Sequence, residues 1–275
     1  MFHQIKKIFM KRVSFFLAVI ALPFLFVACK KNVEPAPNPN AKGSIELEFE
    51  NFVGTQKFQL GTTYINPNTN ETFTPSMLKY FISNISLKTT NGTTYTIPQE
   101  QSYFLLDIED ENSLKFTLND IPEGDYKEIT FMIGVDSLRN TKPIEQRTGH
   151  LDITGRAQGM YWSWNSGYIF VKFEGNSPQS AAANNKFRYH IGGFGGYSST
   201  TINCIRSKTL SFGRDIAKVR SNKTPKVHFI ADWLKFFNGS TQLLIANNHT
   251  VMFNPFAVNI ANNYVEAFSY DHVHN

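Results

Sequence analysis

The side chains best suited to chemistry gather in the second half of the sequence. Apart from His3, every histidine lies at or beyond position 150: His150, His190, His228, His249, His272 and His274. Imidazole is a common metal ligand and proton carrier, so the placement of each ring matters more than the number. In Phe187-Arg-Tyr-His-Ile191, period-two alternation sets Phe187, Tyr189 and Ile191 on one face and Arg188 with His190 on the other. A histidine facing polar space either binds a ligand or is merely solvated. The closing Asp271-His-Val-His274 puts two imidazoles at i, i+2, which project to one side of an extended chain. Such a pair can serve one metal ion; the plainer reading is a frayed terminus with two exposed rings.

The most unusual segment is Gly159-Met-Tyr-Trp-Ser-Trp-Asn-Ser-Gly-Tyr168. On an extended strand Met160, Trp162 and Trp164 share a face, forming an apolar, polarizable wall. That wall fits a hydrophobic core, a stacking platform for carbohydrate, or the surroundings of a soft metal, and composition alone does not choose. Catalytic signatures are missing. There is no Gly-x-Ser-x-Gly, no His-Glu-x-x-His and no Gly-x-x-x-x-Gly-Lys. Gly192-Gly-Phe-Gly-Gly196 precedes no obvious helix, which argues against a phosphate cradle. Asp107, Glu109, Asp110 and Glu111 read as a solvated loop rather than a calcium site. The expectation is a protein that is not an enzyme.

These residues must be positioned by strands. Ile45, Leu47 and Phe49 alternate with Glu46, Glu48 and Glu50. Met77–Thr90 continues the pattern, and Asn91-Gly92 turns it into Thr93–Ile97 as a hairpin. Further strands are predicted over 102–108, 113–118, 125–134, 159–174, 186–191, 208–212 and 226–231. Short helices are expected within 138–148 and 231–237. Many strands separated by Asn, Gly and Pro turns predict an all-β fold, a β-sandwich of antiparallel strands with long loops and one or two short helices.

The first 29 residues are excluded from that domain. Lys6, Lys7, Lys11 and Arg12 precede an apolar run from Val13 to Val27, interrupted by Pro23, and Ala28-Cys29 follows. This is the pattern of a secretory signal, and a cysteine at the cleavage point predicts lipidation of Cys29, although Phe26 departs from the usual lipobox. Residues 30–43, rich in Pro and Asn, read as an extended tether, and 44–275 as a single domain. The chain carries 27 Lys+Arg against 22 Asp+Glu, but four of the basic residues lie in the leader, which has no acidic ones. The mature protein is therefore close to neutral and has no electrostatic footprint for nucleic acid. With Cys29 lipidated, Cys204 is left alone, which rules out an internal disulfide or a paired-cysteine zinc site.

An ordered set of segments resembles the MbnP-like family, the periplasmic proteins of methanobactin operons, and especially its lipoprotein branch in Bacteroidetes. They are Leu78-Lys-Tyr-Phe-Ile-Ser-Asn-Ile85, Ile121-Pro-Glu-Gly-Asp-Tyr126, Ile133-Gly-Val-Asp-Ser-Leu-Arg-Asn140 and Gly149-His-Leu-Asp152. Gly159–Tyr168, Phe173-Glu-Gly175, Tyr189-His-Ile-Gly-Gly193 and Asp271-His-Val-His274 complete it. The resemblance implies copper binding, with Trp162 and Trp164 as the Trp-x-Trp motif, His190 as the family histidine and Met160 beside them. It also implies oxidation of one of the two tryptophans to kynurenine by a dihaem cytochrome peroxidase-like partner. The chain departs from methanotroph members in having only Cys204 after the histidine turn.

The expected function is thus non-enzymatic copper binding or uptake by a lipid-anchored protein on the periplasmic face of the outer membrane, with His190, Trp162, Trp164, Met160, His272 and His274 as metal-site candidates. The alternative is a surface lipoprotein that binds glycan or protein through the same aromatics.

Overall fold

The computed structural model describes residues 36–38, 40–164 and 167–275. The leader and Cys29 lie outside the described residues. Residues 37–275 form one compact unit.

The first strand, β1 (Lys42–Val53), begins inside the segment expected to be a tether and turns at Gly54 into β2 (Gln56–Lys57). The short β3 (Tyr64–Ile65) leads to the longest strand, β4 (Thr72–Thr89), and Asn91-Gly92 returns it as β5 (Thr94–Thr96). Next come β6 (Tyr103–Asp107), β7 (Lys115–Pro122) and β8 (Gly124–Ile133), then a helical turn, α1 (Ser137–Asn140). The Trp-x-Trp segment holds β9 (Tyr161–Trp162) and leads into β10 (Gly167–Asn176), followed by β11 (Lys186–Gly192), β12 (Arg206–Ser211), β13 (Ala217–Val219) and β14 (Lys226–Asp232). The chain closes with α2 (Leu234–Phe237), β15 (Thr250–Val251), α3 (Phe256–Tyr264) and β16 (Phe268–His274).

The strands build two sheets, and the fold is all-β and sandwich-like. The smaller sheet runs β16-β14-β1-β2, with β7 also paired to β1. The larger runs β12-β8-β4-β10-β11-β15, with β13 on β8, β9 on β10, and β3, β5 and β6 on β4. Aromatic rings fill the space between them. Phe49 of β1 meets Phe229 of β14 at 5.0 Å and Phe131 of β8 at 5.8 Å, while Phe268 of β16 reaches Phe131 at 5.5 Å. Buried Asn51 ties this layer together: its side-chain oxygen accepts from Tyr80 Oη at 3.1 Å and Trp233 Nε1 at 2.7 Å.

Three sequence expectations are corrected. Pairing is not wholly antiparallel, since β1 pairs parallel with β14 and β11 with β15. Parallel neighbours need a long crossover, and here the twelve strands β2 to β13 intervene in sequence between β1 and β14. The strand predicted over 159–174 is two strands, β9 and β10, folded back as a hairpin. Ser113 lies in a helical turn before β7 rather than in the strand. A helix not expected, α3, buries Ala257, Ile260, Ala261 and Tyr264 at i, i+3, i+4 and i+7.

Candidate functional site

The two sheets bury their facing sides against each other, so the polar alternates of each strand point outward on opposite sides of the sandwich. The candidate residues divide between these two outer faces.

On the larger sheet, Phe187, Tyr189 and Ile191 of β11 are fully buried, and Tyr189 packs on Phe236 at 5.5 Å. His190 therefore points outward, as the alternation predicts. Its register partner on β10 is Lys172, and Glu174 is the diagonal neighbour. Glu174 Oε1 lies 2.6 Å from His190 Nε2 and 3.6 Å from Lys172 Nζ. Lys172 Nζ also donates to the Gly159 carbonyl at 3.2 Å, drawing the Trp-x-Trp segment over this face. The His190 bond is the main reason the Glu174 carboxyl is held below the usual glutamate range, against the opposing effect of burial. A carboxylate that takes Nε2–H fixes the tautomer and leaves the Nδ1 lone pair for a ligand, as metal-binding histidines are commonly arranged.

The tryptophans sit next to this strand. A side chain at Gly192, two residues past His190, would come within 2.9 Å of Trp162 Cζ3, so the glycine is what lets the indole lie against the sheet. Gly193 is required independently: its φ is +112°, and a Cβ there would lie 2.8 Å from the Ile202 carbonyl oxygen. Trp162, Trp164 and Phe253 form a three-ring cluster with centroids 5.5–5.8 Å apart. Trp162 is almost wholly covered, whereas Trp164 is 66% exposed. The wall of three alternating side chains expected on one strand is not formed, because the strand ends at Trp162. Met160 is fully buried within the hydrophobic core instead of facing the aromatic pair's open side. The arrangement offers one imidazole nitrogen on a strand whose Gly192 end is covered by aromatic rings, a donor suited to a soft, low-coordinate cation.

The C-terminal pair lies on the other sheet. β16 places His272 opposite His228 and His274 opposite Lys226, and parallel β1 places Glu48 beside His228. His272 and His274 thus do come together, with a third ring, but not with His190 and the tryptophans. His228 was not among the expected ligands, because only the pairing of β14 with β16 brings it there. The remaining rings are structural or solvated: His150 Nδ1 accepts from Leu105 N at 3.1 Å, and exposed His249 contacts Thr250 Oγ1 at 3.1 Å. Cys204 is buried, and desolvation pushes its thiol up to about 12.

Among known proteins, the MbnP family model matches residues 42–253. Among solved structures, MbnP from Methylosinus trichosporium superposes with a TM-score of 0.51 at 16% identity, covering 78% of this chain and 82% of that one. At that identity the likeness concerns the fold. No curated protein matches the sequence.

Proposed function

The chain belongs to the MbnP family, and from that premise we propose that it is a non-enzymatic copper-binding lipoprotein of the cell envelope. The observation that carries the reading is His190 locked by Glu174 through Nε2 on the strand whose Gly192 receives Trp162. The residues fit copper: His190 Nδ1 supplies the imidazole donor, and the Trp162–Trp164–Phe253 rings stand at the Gly192 end of the same strand. This set suits Cu(I), which favours soft ligands and few of them.

Trp162 is the proposed site of conversion to kynurenine by a dihaem peroxidase-like partner, because it is the indole packed beside the His190 strand. Conversion inserts two oxygen atoms across the indole 2,3-bond, drawn from two peroxides that leave as water. Hydrolysis of the formyl group then releases formate and an aniline nitrogen. The leader, Cys29 and the prolines after it support lipid anchoring, with the outer membrane's periplasmic side as the proposed location.

The test is copper content of mature protein from its native host grown with copper, alongside His190→Ala. Near-stoichiometric copper in the wild type and its loss in the variant are expected; equal copper in both moves the site elsewhere. A second reading, glycan capture, is favoured by the exposure of Trp164. In that case Trp164→Ala abolishes glycan retention and leaves metal content unchanged.

A further inference from the structure

We propose that His228, His272 and His274, backed by Glu48 and Glu50, form a second metal site for a divalent first-row transition cation, Zn2+ or Cu2+. It lies on the outer face of the smaller sheet, away from the His190 centre. Two of its histidines also lie beyond residues 42–253, the segment matched by the family model.

One ring nitrogen from each of the three histidines lies within 4.8 Å of the others, and the same holds for His228 with one carboxylate oxygen each from Glu48 and Glu50. His272 Nε2 and His274 Nε2 are only 2.9 Å apart, and the His228 ring stacks on His272 at 4.2 Å. Tetrahedral Zn–N bonds of about 2.0–2.1 Å set neighbouring nitrogens roughly 3.3 Å apart, so His272 and His274 need shift by only a few tenths of an ångström, while the His228 ring must also tilt out of its stack to aim a nitrogen at the same point.

The sheet register creates the cluster. β14 is flanked by β1 and β16, and Glu48, His228 and His272 form one cross-strand row, with His274 in the next. A bulge at Asp271 keeps that residue beside its neighbour, where its carboxylate holds His272 Nδ1 at 2.8 Å. As with His190, the carboxylate fixes one nitrogen and leaves the other, Nε2, directed into the cluster.

The independent observation is His228 itself. It is 9% exposed, and both of its ring nitrogens are buried without a hydrogen-bond partner. The nearest carboxylate oxygens, on Glu48 and Glu50, stand 3.9 Å from its Nδ1, beyond hydrogen-bond range. Buried polar atoms are ordinarily satisfied, so an imidazole with two bare nitrogens against two other imidazoles points to a ligand. Lys226 is committed to Glu46 at 2.8 Å and stands 3.5 Å from Glu48, which leaves Glu50 and Asp271 to offset a cation's charge. His272 is half-buried and His274 exposed, so solvent reaches the cluster from the β16 side. Three imidazoles with carboxylates and no sulfur favour a borderline divalent ion over Cu(I).

The test is competition for Zn2+ between the metal-free mature protein and a chromophoric chelator, with nitrogen hyperfine structure in the Cu2+ spin-resonance spectrum as a second readout. The wild type retains one Zn2+, His272→Gln/His274→Gln weakens it by at least about tenfold, and His190→Ala leaves it unchanged. Both mutated side chains project outward from β16, and thermal unfolding of the double variant checks that the fold is kept. Zinc affinity in the double variant within twofold of wild type, or no zinc retained by the wild type, overturns the proposal. Failure of the His190 copper centre shows instead as copper that His190→Ala does not release, so the two outcomes are distinct.

Discussion

Replacing Glu174 probes the bond on which the His190 centre depends. The carboxylate accepts from Nε2 at 2.6 Å, and His190 and Glu174 are mostly covered, at 14% and 25% side-chain exposure. A hydrogen bond to a charged group is worth about 1.5–3 kcal/mol, and partial exposure puts this one toward the lower end. Glutamine keeps an acceptor and loses the charge, forfeiting about half of that, roughly 0.8–1 kcal/mol, or about a four- to fivefold loss of copper affinity. Alanine also frees the ring to rotate, so the loss rises into the roughly 10–100-fold range of carboxylates that orient metal-binding histidines. Competition against a chromophoric Cu(I) chelator at neutral pH measures both variants. Affinity in Glu174→Ala within about twofold of wild type would refute the orienting role. The pH dependence has a definite sign. The native Glu174 carboxyl is lowered, chiefly by the His190 bond, so its contribution to stability is full above the ordinary glutamate value of about 4.3. It is lost as pH falls through the lower native value. The stability gap between wild type and Glu174→Gln should therefore close on acidification through that window.

Three further expectations concern packing. Gly192→Ala sets a methyl 2.5 Å from the Tyr168 carbonyl oxygen and 2.9 Å from Trp162, so it should cost about 1–3 kcal/mol and red-shift tryptophan emission as that indole is displaced. An unchanged emission spectrum would count against the contact. Asn51→Ala orphans the buried donors of Tyr80 and Trp233, and at about 1–3 kcal/mol each the urea midpoint should report a loss of about 2–5 kcal/mol. A loss below about 1 kcal/mol would show that Asn51 is not the tie described. The Cys204 thiol, fully buried and pushed up to about 12, should ignore a thiol reagent at pH 8 until denaturant is added; rapid native labelling would contradict its burial.

Local patterns in the sequence were good guides wherever period-two alternation ran uninterrupted. The outward direction of His190 follows from Phe187, Tyr189 and Ile191, and the shared side of His272 and His274 follows from their i, i+2 spacing. Alternation misled at Met160, Trp162 and Trp164 because a hairpin begins after Trp162, which leaves Met160 in the core and Trp164 in solvent. The helix at Phe256–Tyr264 was legible in its apolar spacing after Asn254-Pro255 and was missed beside the stronger strand signals. His228 could not be assigned from local pattern. It joins its cluster through pairing with strands distant in sequence, and long crossovers set which strands become neighbours. Glu174 lies in between: its outward direction on β10 was readable, but its diagonal contact with His190 depends on register.

The most direct test of the copper reading is anomalous diffraction at the copper edge from crystals of the mature protein loaded with Cu(I). A copper peak is expected beside His190 Nδ1, on the side of the strand where Trp162 meets Gly192. A copper-saturated crystal with no peak there, or with its only peak at His228, His272 and His274, would contradict that reading.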